Sequence, residues 1–199
     1  MKNYRLTIAI LLILGINSLP LAEAQSEFRV GALLSLTGDC ADAGNMSRRG
    51  IELAVEQINA SGGILGKTVE LVLEDSAETS PANAVTAFRR LRLTSDIRYF
   101  IGPTCSPAAL AAAPLAAKNT EIVLASPSIG LREFNEAGDN VFKLWPYDED
   151  GPKLLARYAI EQGWVRAVIF SSQQAWEQAQ GKGIEQEFER LGGTVLLKV

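Results

Sequence analysis

Apolar and polar positions along the chain form two alternating patterns. Short, nearly continuous apolar runs predict buried strands at residues 28–36, 68–75, 99–102, 121–126, 165–170 and 194–199, and a further short run lies at residues 141–144. Between most of these runs, apolar residues recur at helical spacing, for example Ile51, Ala54, Val55 and Ile58. Strands that alternate strictly with helices form a parallel sheet covered by helices on both faces. The pattern therefore predicts an α/β fold with a doubly wound parallel sheet.

The first 24 residues follow a different pattern, which predicts a secretory signal peptide. Lys2 and Arg5 precede an apolar run over residues 6–16, and the small residues Ala22 and Ala24 then mark a cleavage site after Ala24. The apolar run is too short for a membrane span, and no later segment approaches one. We expect a protein that is not membrane-spanning and that is exported in free form.

Composition excludes several functional classes. The chain has a formal net charge of −4 and lacks basic clusters, so no binding of nucleic acid is expected. It contains no histidine, which excludes His-based catalytic triads and disfavours a zinc enzyme. We expect no metal and no cofactor.

The segment "NASGGILGKT" (residues 59–68) resembles a phosphate-binding loop but has the wrong spacing and the wrong context. Gly62 and Gly66 lie one residue too close for that motif, and Ser61 occupies the position of the first glycine. Phosphate-binding loops follow a strand and precede a helix, whereas this segment follows a helix and precedes a strand. We therefore interpret Gly62 or Gly63 as a left-handed helix C-cap.

Three loops at the carboxyl ends of the predicted strands are candidate ligand-binding segments, because open α/β sheets bind ligands at that edge. They are "SLTGDCADAGN", "GPTCSPAA" and "ASPSIGL". In the second loop, Ser106 is predicted as a helix N-cap with Pro107 at the first helical position. The N-terminus of the same helix would also attract a carboxylate, so Ser106 has two interpretations.

Two long segments of the chain are "GALLSLTGDCADAGNMSRRGIELAVEQINASGGILGKTVELVLEDS" and "IGPTCSPAALAAAPLAAKNTEIVLASPS". They resemble the branched-chain amino acid binding proteins of bacterial ABC transporters, a family with the type I periplasmic binding protein fold. The resemblance implies that Ser106 holds a ligand carboxylate, that Ser128 and Gly130 contact the amino-acid backbone, and that Trp176 presses on the ligand from a second lobe. Trp176 has an alternative interpretation as a tryptophan packed at a helix start.

The same resemblance implies a division of the chain. Residues 25–145 correspond to a nearly complete first lobe whose return segments are missing, and residues 146–199 correspond to the start of a second lobe. About half of the usual family length is absent, so the sequence is expected to be a fragment or a truncated reading frame. Ala43 stands where the family often has an aromatic residue, and Gly130 replaces a hydroxyl residue of some members. The ligand specificity of leucine binders is therefore not assumed.

Cys40 and Cys105 lie in the first two of the three loops. In a sheet of order 2-1-3-4 these loops emerge side by side, and a disulfide requires Cα atoms within about 7 Å. Both a disulfide and two free thiols are compatible with the sequence.

Three functions are compatible with these features. The resemblance implies a periplasmic solute-binding protein that captures an amino acid or a related small amide or carboxylate for the membrane permease of an ABC transporter. The ligand-sensing module of a periplasmic regulator shares the same lobes. A small hydrolase is the alternative from the enzyme class, with acidic residues near strand ends as acid–base candidates: Asp39, Asp42, Glu74 and Asp75. We expect no enzymatic activity, because the sequence contains no set of nucleophile, base and orienting residue.

Overall fold

The computed structural model describes residues 27–77 and 80–199. The predicted signal peptide lies outside the described residues. In chain order the elements are β1 (Phe28–Leu34), α1 (Ala41–Ala60), β2 (Val69–Asp75), α2 (Pro81–Thr94), β3 (Tyr99–Ile101), α3 (Ser106–Ala117), β4 (Val123–Ser126), α4 (Arg132–Asn135), β5 (Val141–Lys143), α5 (Asp150–Glu161), β6 (Arg166–Ile169), α6 (Ala175–Arg190) and β7 (Thr194–Lys198). The predicted alternation of strands and helices is confirmed, and the short run at residues 141–144 forms a further strand, β5.

Two parallel sheets organise these elements. The large sheet has the order β2-β1-β3-β4-β5, and the small sheet pairs β6 with β7. All strand pairs in both sheets are parallel. The order confirms the predicted placement of β1 between β2 and β3. The assignment of residues 25–145 and 146–199 to two lobes stays a prediction.

The core lies between the large sheet and the helices α2 and α3. Phe88 of α2 stacks on Phe100 of β3, with ring centroids 4.6 Å apart. The alanines of α3 are buried against the same layer, which explains why a helix so rich in alanine fits closely on the sheet. Their small side chains bring the start of α3 close to the strand ends, where the candidate site lies.

The loop of residues 61–68 has the geometry predicted for a helix C-cap. Gly62 and Gly63 have positive φ angles of 100° and 77°, and the Gly63 amide donates to the Ile58 carbonyl oxygen at 2.9 Å. The Asn59 side chain then bonds both backbone groups of Val69, at 2.7 and 3.0 Å. This loop joins α1 to β2 and does not present a phosphate cradle.

Candidate functional site

A cleft of about 440 Å³ lies at the carboxyl edge of the large sheet. The loops after β1, β3 and β4 form one wall, and the start of α6 forms the other. Open α/β sheets bind ligands at this edge because the strands end there and the helix N-termini face the crevice. The lining residues are Asp39, Cys40, Ala43, Thr104, Cys105, Ser106, Pro107, Ser128, Ile129, Trp145, Gln174, Ala175, Trp176 and Glu177. Three of the four predicted ligand-binding residues are among them.

Ser106 is the first residue of α3 and lines the cleft. The prediction that Ser106 is the N-cap is wrong by one residue, because the extended backbone ends at Cys105, with φ −131° and ψ 144°. No side-chain cap bond is formed there. Within the described part of the chain, the hydroxyl of Ser106 has no hydrogen-bond partner, although the residue is buried. The Ser106 hydroxyl is therefore a donor without an acceptor at the N-terminus of α3, where the free amides favour negative charge.

Ser128 lines the cleft from the loop after β4. Its hydroxyl donates to the Thr104 carbonyl oxygen at 3.1 Å, and its amide donates to Ser126 Oγ at 3.3 Å. Ser126 in turn donates to the Pro103 carbonyl oxygen at 2.6 Å. These bonds tie the loop after β4 to the loop after β3. Since a hydroxyl oxygen keeps acceptor capacity after it donates, Ser128 can still accept a bond from a ligand.

A layer of buried hydroxyl groups supports the cleft from below. Thr104 Oγ1 accepts the Ser35 amide at 3.0 Å, and the hydroxyls of Ser35 and Ser76 lie 3.1 Å apart. All three residues are buried. Buried hydroxyls are stable when they are paired, so this layer fixes the ends of β1, β2 and β3 relative to one another.

Cys40 and Cys105 are joined by a disulfide, and their Cα atoms are 6.2 Å apart. Both residues line the cleft. The bond connects the loop after β1 to the residue that precedes Ser106. It therefore constrains two of the three loops that form this wall.

Gly130 lies outside the lining of the cleft. Its carbonyl oxygen accepts the Asp148 amide at 3.1 Å, which attaches the segment after β5 to the loop after β4. Ala43, where the resemblance implies a missing aromatic ring, does line the cleft and leaves space there.

Trp176 and Trp145 bring two aromatic side chains to the cleft from outside the large sheet. They are 49% and 53% exposed, respectively. Trp176 influences the carboxyl of Asp148, which is a buried residue. Burial raises the pKa of Asp148, and the Trp176 indole opposes that shift.

The acidic residues considered for acid–base work have different environments. Glu74 pairs with Arg90 at 2.9 Å. Burial opposes ionisation of Asp75, but bonds from Thr37, Ala77 and Leu36 outweigh it and lower the pKa of this carboxyl. Asp42 is exposed in the first turn of α1, and only Asp39 of the four lines the cleft. The structure therefore gives Glu74 and Asp75 structural contacts.

A larger concavity of about 620 Å³ lies beside the small sheet and shares Trp176 and Glu177 with the cleft. Its other lining residues include Leu155, Val168 and Phe170, which are apolar and exposed. The 440 Å³ cleft is the stronger candidate site because several polar groups converge on it.

Residues 27–77 and 80–199 contain neither a helix suited to cross a membrane nor a metal-binding cluster. No described helix combines the length and the apolar character needed to cross a membrane. No cluster of three or more His, Cys, Asp or Glu side chains in this part of the chain is arranged to hold a metal ion.

The fold defines a class of α/β proteins that enclose small ligands. Its features are an open parallel sheet, a connection to a second sheet, and a cleft between the strand ends and the start of a helix. Residues 27–199 match the family model described as "Periplasmic binding protein", and the chain belongs to this family.

Curated relatives agree with this assignment. The Leu/Ile/Val-binding protein BraC3 of Rhizobium johnstonii is 28% identical over 184 residues, which are 92% of this chain and 48% of the relative. Leu/Ile/Val-binding protein homolog 8 of Brucella suis is 32% identical over 112 residues, which are 56% of this chain and 27% of the relative. The chain therefore spans about half or less of the length of these relatives.

Solved structures show the same fold. The branched-chain amino acid transporter substrate-binding protein LivJ of Streptococcus pneumoniae, in complex with isoleucine, has a TM-score of 0.74 and 26% identity. The alignment covers 87% of this chain and 49% of LivJ. A solute-binding protein of an ABC transporter from Rhodopseudomonas palustris, in complex with 3,4-dihydroxybenzoic acid, has a TM-score of 0.78 and 22% identity, with 87% and 47% covered.

Proposed function

We propose that this protein is a periplasmic solute-binding protein that captures a small carboxylate, an amino acid or a related compound, and delivers it to the membrane permease of an ABC transporter. Residues 1–24 would direct its export, residues 25–145 would form the first lobe of the binding site, and residues 146–199 would begin the second lobe. Binding without turnover is the expected activity.

The observation that carries this proposal is the hydroxyl of Ser106. It lies at the N-terminus of a 12-residue helix, lines the cleft and has no hydrogen-bond partner in the described part of the chain. The free amides and the dipole of such a helix favour an anion, and the hydroxyl adds a donor. A carboxylate is the group that the ligands of LivJ and the Rhodopseudomonas protein share.

The other proposed contacts follow from their positions. Ser128 would accept a bond from the polar end of the ligand, and Trp176 would cover the ligand from the side of α6. Gly130 would act indirectly, because its carbonyl oxygen already accepts the Asp148 amide.

Calorimetric titration of wild-type protein, Ser106→Ala and Ser80→Ala tests the proposal. L-Leucine, L-isoleucine and 3,4-dihydroxybenzoate are the ligands. A hydrogen bond to a charged group contributes roughly 1.5–3 kcal/mol, so Ser106→Ala should weaken binding by about ten- to a hundredfold. Ser80 precedes α2 and, like Ser106, makes no cap bond. Both variants should therefore keep their stability within about 0.5 kcal/mol.

The matched control separates a role in binding from a role in folding. Ser80→Ala should leave affinity unchanged. Equal losses of affinity in the two variants would show that the ligand site is elsewhere. Failure of wild-type protein to bind any of the three carboxylates would refute the proposed function for this chain.

A further inference from the structure

The disulfide between Cys40 and Cys105 lies in the wall of the cleft. Both cysteines line the cleft, and their Cα atoms are 6.2 Å apart. Cys105 is buried, with 7% of its surface exposed, whereas Cys40 is half-buried. A small molecule that enters the empty cleft therefore reaches the bond from the side of Cys40. A solute that fills the same cleft covers the bond.

Both cysteines also stand at the start of a helix. Cys40 is the N-cap residue of the 20-residue helix α1, and Cys105 is the N-cap residue of the 12-residue helix α3. The free amides at a helix N-terminus stabilise a thiolate relative to a thiol. A thiol that ionises easily leaves a disulfide quickly, and stabilisation of the reduced form makes the bond easier to reduce. Two helix N-termini at one disulfide thus favour its reversible reduction.

Two carboxylates border the cleft and act against negative charge there. Asp39 is exposed, so water and salt screen its charge. Glu177 lies at the start of α6, on the opposite wall, and its Oε2 atom is buried and accepts no hydrogen bond from any described residue. Like charges repel, so a thiol with a net negative charge, such as glutathione, is disfavoured. The reductant that suits this cleft is a small dithiol without net charge.

The reaction is thiol–disulfide exchange, in which the protein gains two electrons. One thiolate of the dithiol attacks Cys40 Sγ, the bond between the two cysteine sulfurs breaks, and its electron pair leaves with Cys105 as a thiolate. The second thiol of the reductant then attacks the reductant's sulfur in the mixed disulfide and releases Cys40. The reductant ends as a cyclic disulfide, and the two protons that it loses are taken up by the two cysteines.

Reduction releases one wall of the site. The disulfide joins the loop after β1 to the residue that precedes Ser106. In the same loop, Leu36 and Thr37 donate to the Asp75 carboxylate at 2.9 and 2.7 Å, which anchors them to β2, on the opposite side of β1 from β3. Without the disulfide, residues 39–43 are no longer held covalently against Ser106. Ordering this segment then costs free energy each time that a solute binds.

We propose that the Cys40–Cys105 disulfide is a redox switch of the solute-binding site. A small neutral dithiol reduces the bond in the empty cleft, and the reduced protein binds its solute more weakly than the oxidised protein. A bound solute covers the bond and protects it from reduction. Binding and reduction oppose each other reciprocally, because both act on the same wall. This inference rests on the proposed binding function and adds a means of control to it.

The rate of reduction of wild-type protein tests whether the bond is reached in the folded cleft. The full chain is incubated with dithiothreitol without oxygen and quenched with iodoacetamide, and mass spectrometry counts the alkylated cysteines. The rate should rise in proportion to the dithiothreitol concentration, as expected for attack on folded protein. A saturating concentration of L-leucine, L-isoleucine or 3,4-dihydroxybenzoate, whichever binds, should slow the reaction by about tenfold or more. A rate that becomes independent of dithiothreitol, or that the bound solute leaves unchanged, would overturn the switch.

Isothermal calorimetry compares the affinities of the two redox forms. Reduced wild-type protein should bind the same probe about tenfold or more weakly than oxidised protein. The double variant Cys40→Ser with Cys105→Ser should bind like reduced protein. Dithiothreitol should not change the affinity of this variant, which controls for effects of the reagent. Circular dichroism verifies that each form is folded at the temperature of the titration.

The outcomes separate the switch from the function on which it rests. Equal affinities of oxidised and reduced wild-type protein would overturn the switch and leave solute binding intact. Absence of binding by oxidised wild-type protein to all three probes would overturn both proposals. The rate measurement starts from oxidised, folded wild-type protein, so it decides the inference even where the double variant fails to fold.

Discussion

The amide of Asp148 donates to the carbonyl oxygen of Gly130 at 3.1 Å, so the chain that leaves the large sheet lies directly on the loop after β4. A Cβ atom on Gly130 would overlap the Asp148 carboxylate and the Pro146 carbonyl oxygen. A glycine is therefore required at this crossing for steric reasons. The crossing also fixes the backbone of Asp148, a buried residue.

Gly130→Ala should destabilise the protein by about 1–3 kcal/mol, because overpacking forces a backbone shift where the chain crosses. Urea unfolding followed by circular dichroism measures this change. Gly151→Ala is the matched control, since a Cβ atom there would meet no atom within 4 Å. It lies in α5 and should leave stability unchanged or raise it by up to about 1 kcal/mol. Equal stability of Gly130→Ala and wild-type protein would contradict the packing at this crossing.

Removal of the disulfide should lower the stability of the wall that carries Ser106. Cys40 and Cys105 are separated by 65 positions, and closure of a loop of that size constrains the unfolded chain. The double variant Cys40→Ser with Cys105→Ser should lose about 2–4 kcal/mol. Reducing agent should destabilise wild-type protein similarly and leave the double variant unaffected. Titration of two free thiols in oxidised, denatured wild-type protein would contradict the presence of the bond.

Glu187 should make stability depend on pH in the acid range. Its carboxylate accepts bonds from Arg190, at 2.7 Å, and from Arg157, at 2.6 Å, which lower its pKa from 4.5 to about 2. A depressed pKa contributes stability that is complete above the ordinary value and is lost as the pH falls toward 2. Glu187→Gln removes the negative charge that pairs with Arg157 of α5. This variant should therefore be less stable than wild-type protein at pH 7.

The pH profile distinguishes this ion pair from simple packing. The difference in unfolding free energy between wild-type protein and Glu187→Gln should shrink between about pH 4.5 and pH 2. Glu189→Gln changes an exposed residue of the same helix. The difference in unfolding free energy between wild-type protein and this variant should hardly change with pH. A constant difference for Glu187→Gln across this range would show that its carboxylate is not held by the two arginines.

Much of the fold could be predicted from sequence because local signals and burial agree. The apolar run of β1 is buried on both faces, as expected for a central parallel strand. The glycines at 62 and 63 end α1 as their backbone preference requires. The helix α4 was not predicted, because its four residues are too few to show a helical period.

The site was predictable only in part. Ser106, Ser128 and Trp176 were identified through the family resemblance, and all three line the cleft. Gly130 was assigned a ligand contact by the same route, but its place at the chain crossing depends on tertiary packing. Glu177 was not identified, because its unsatisfied oxygen exists only once α6 is packed beside the large sheet. An acidic residue in a first helical turn gives no such signal in the sequence.

The distribution of the three tryptophans gives the protein an internal optical reporter. Trp145 and Trp176 border the cleft, whereas Trp164 packs edge-on against Tyr158 with ring centroids 6.1 Å apart. A solute bound in the cleft as proposed would displace water from two half-exposed indoles and leave the third in its former surroundings. Emission of Trp164→Phe protein therefore arises from the cleft alone and reports its occupancy without any added dye.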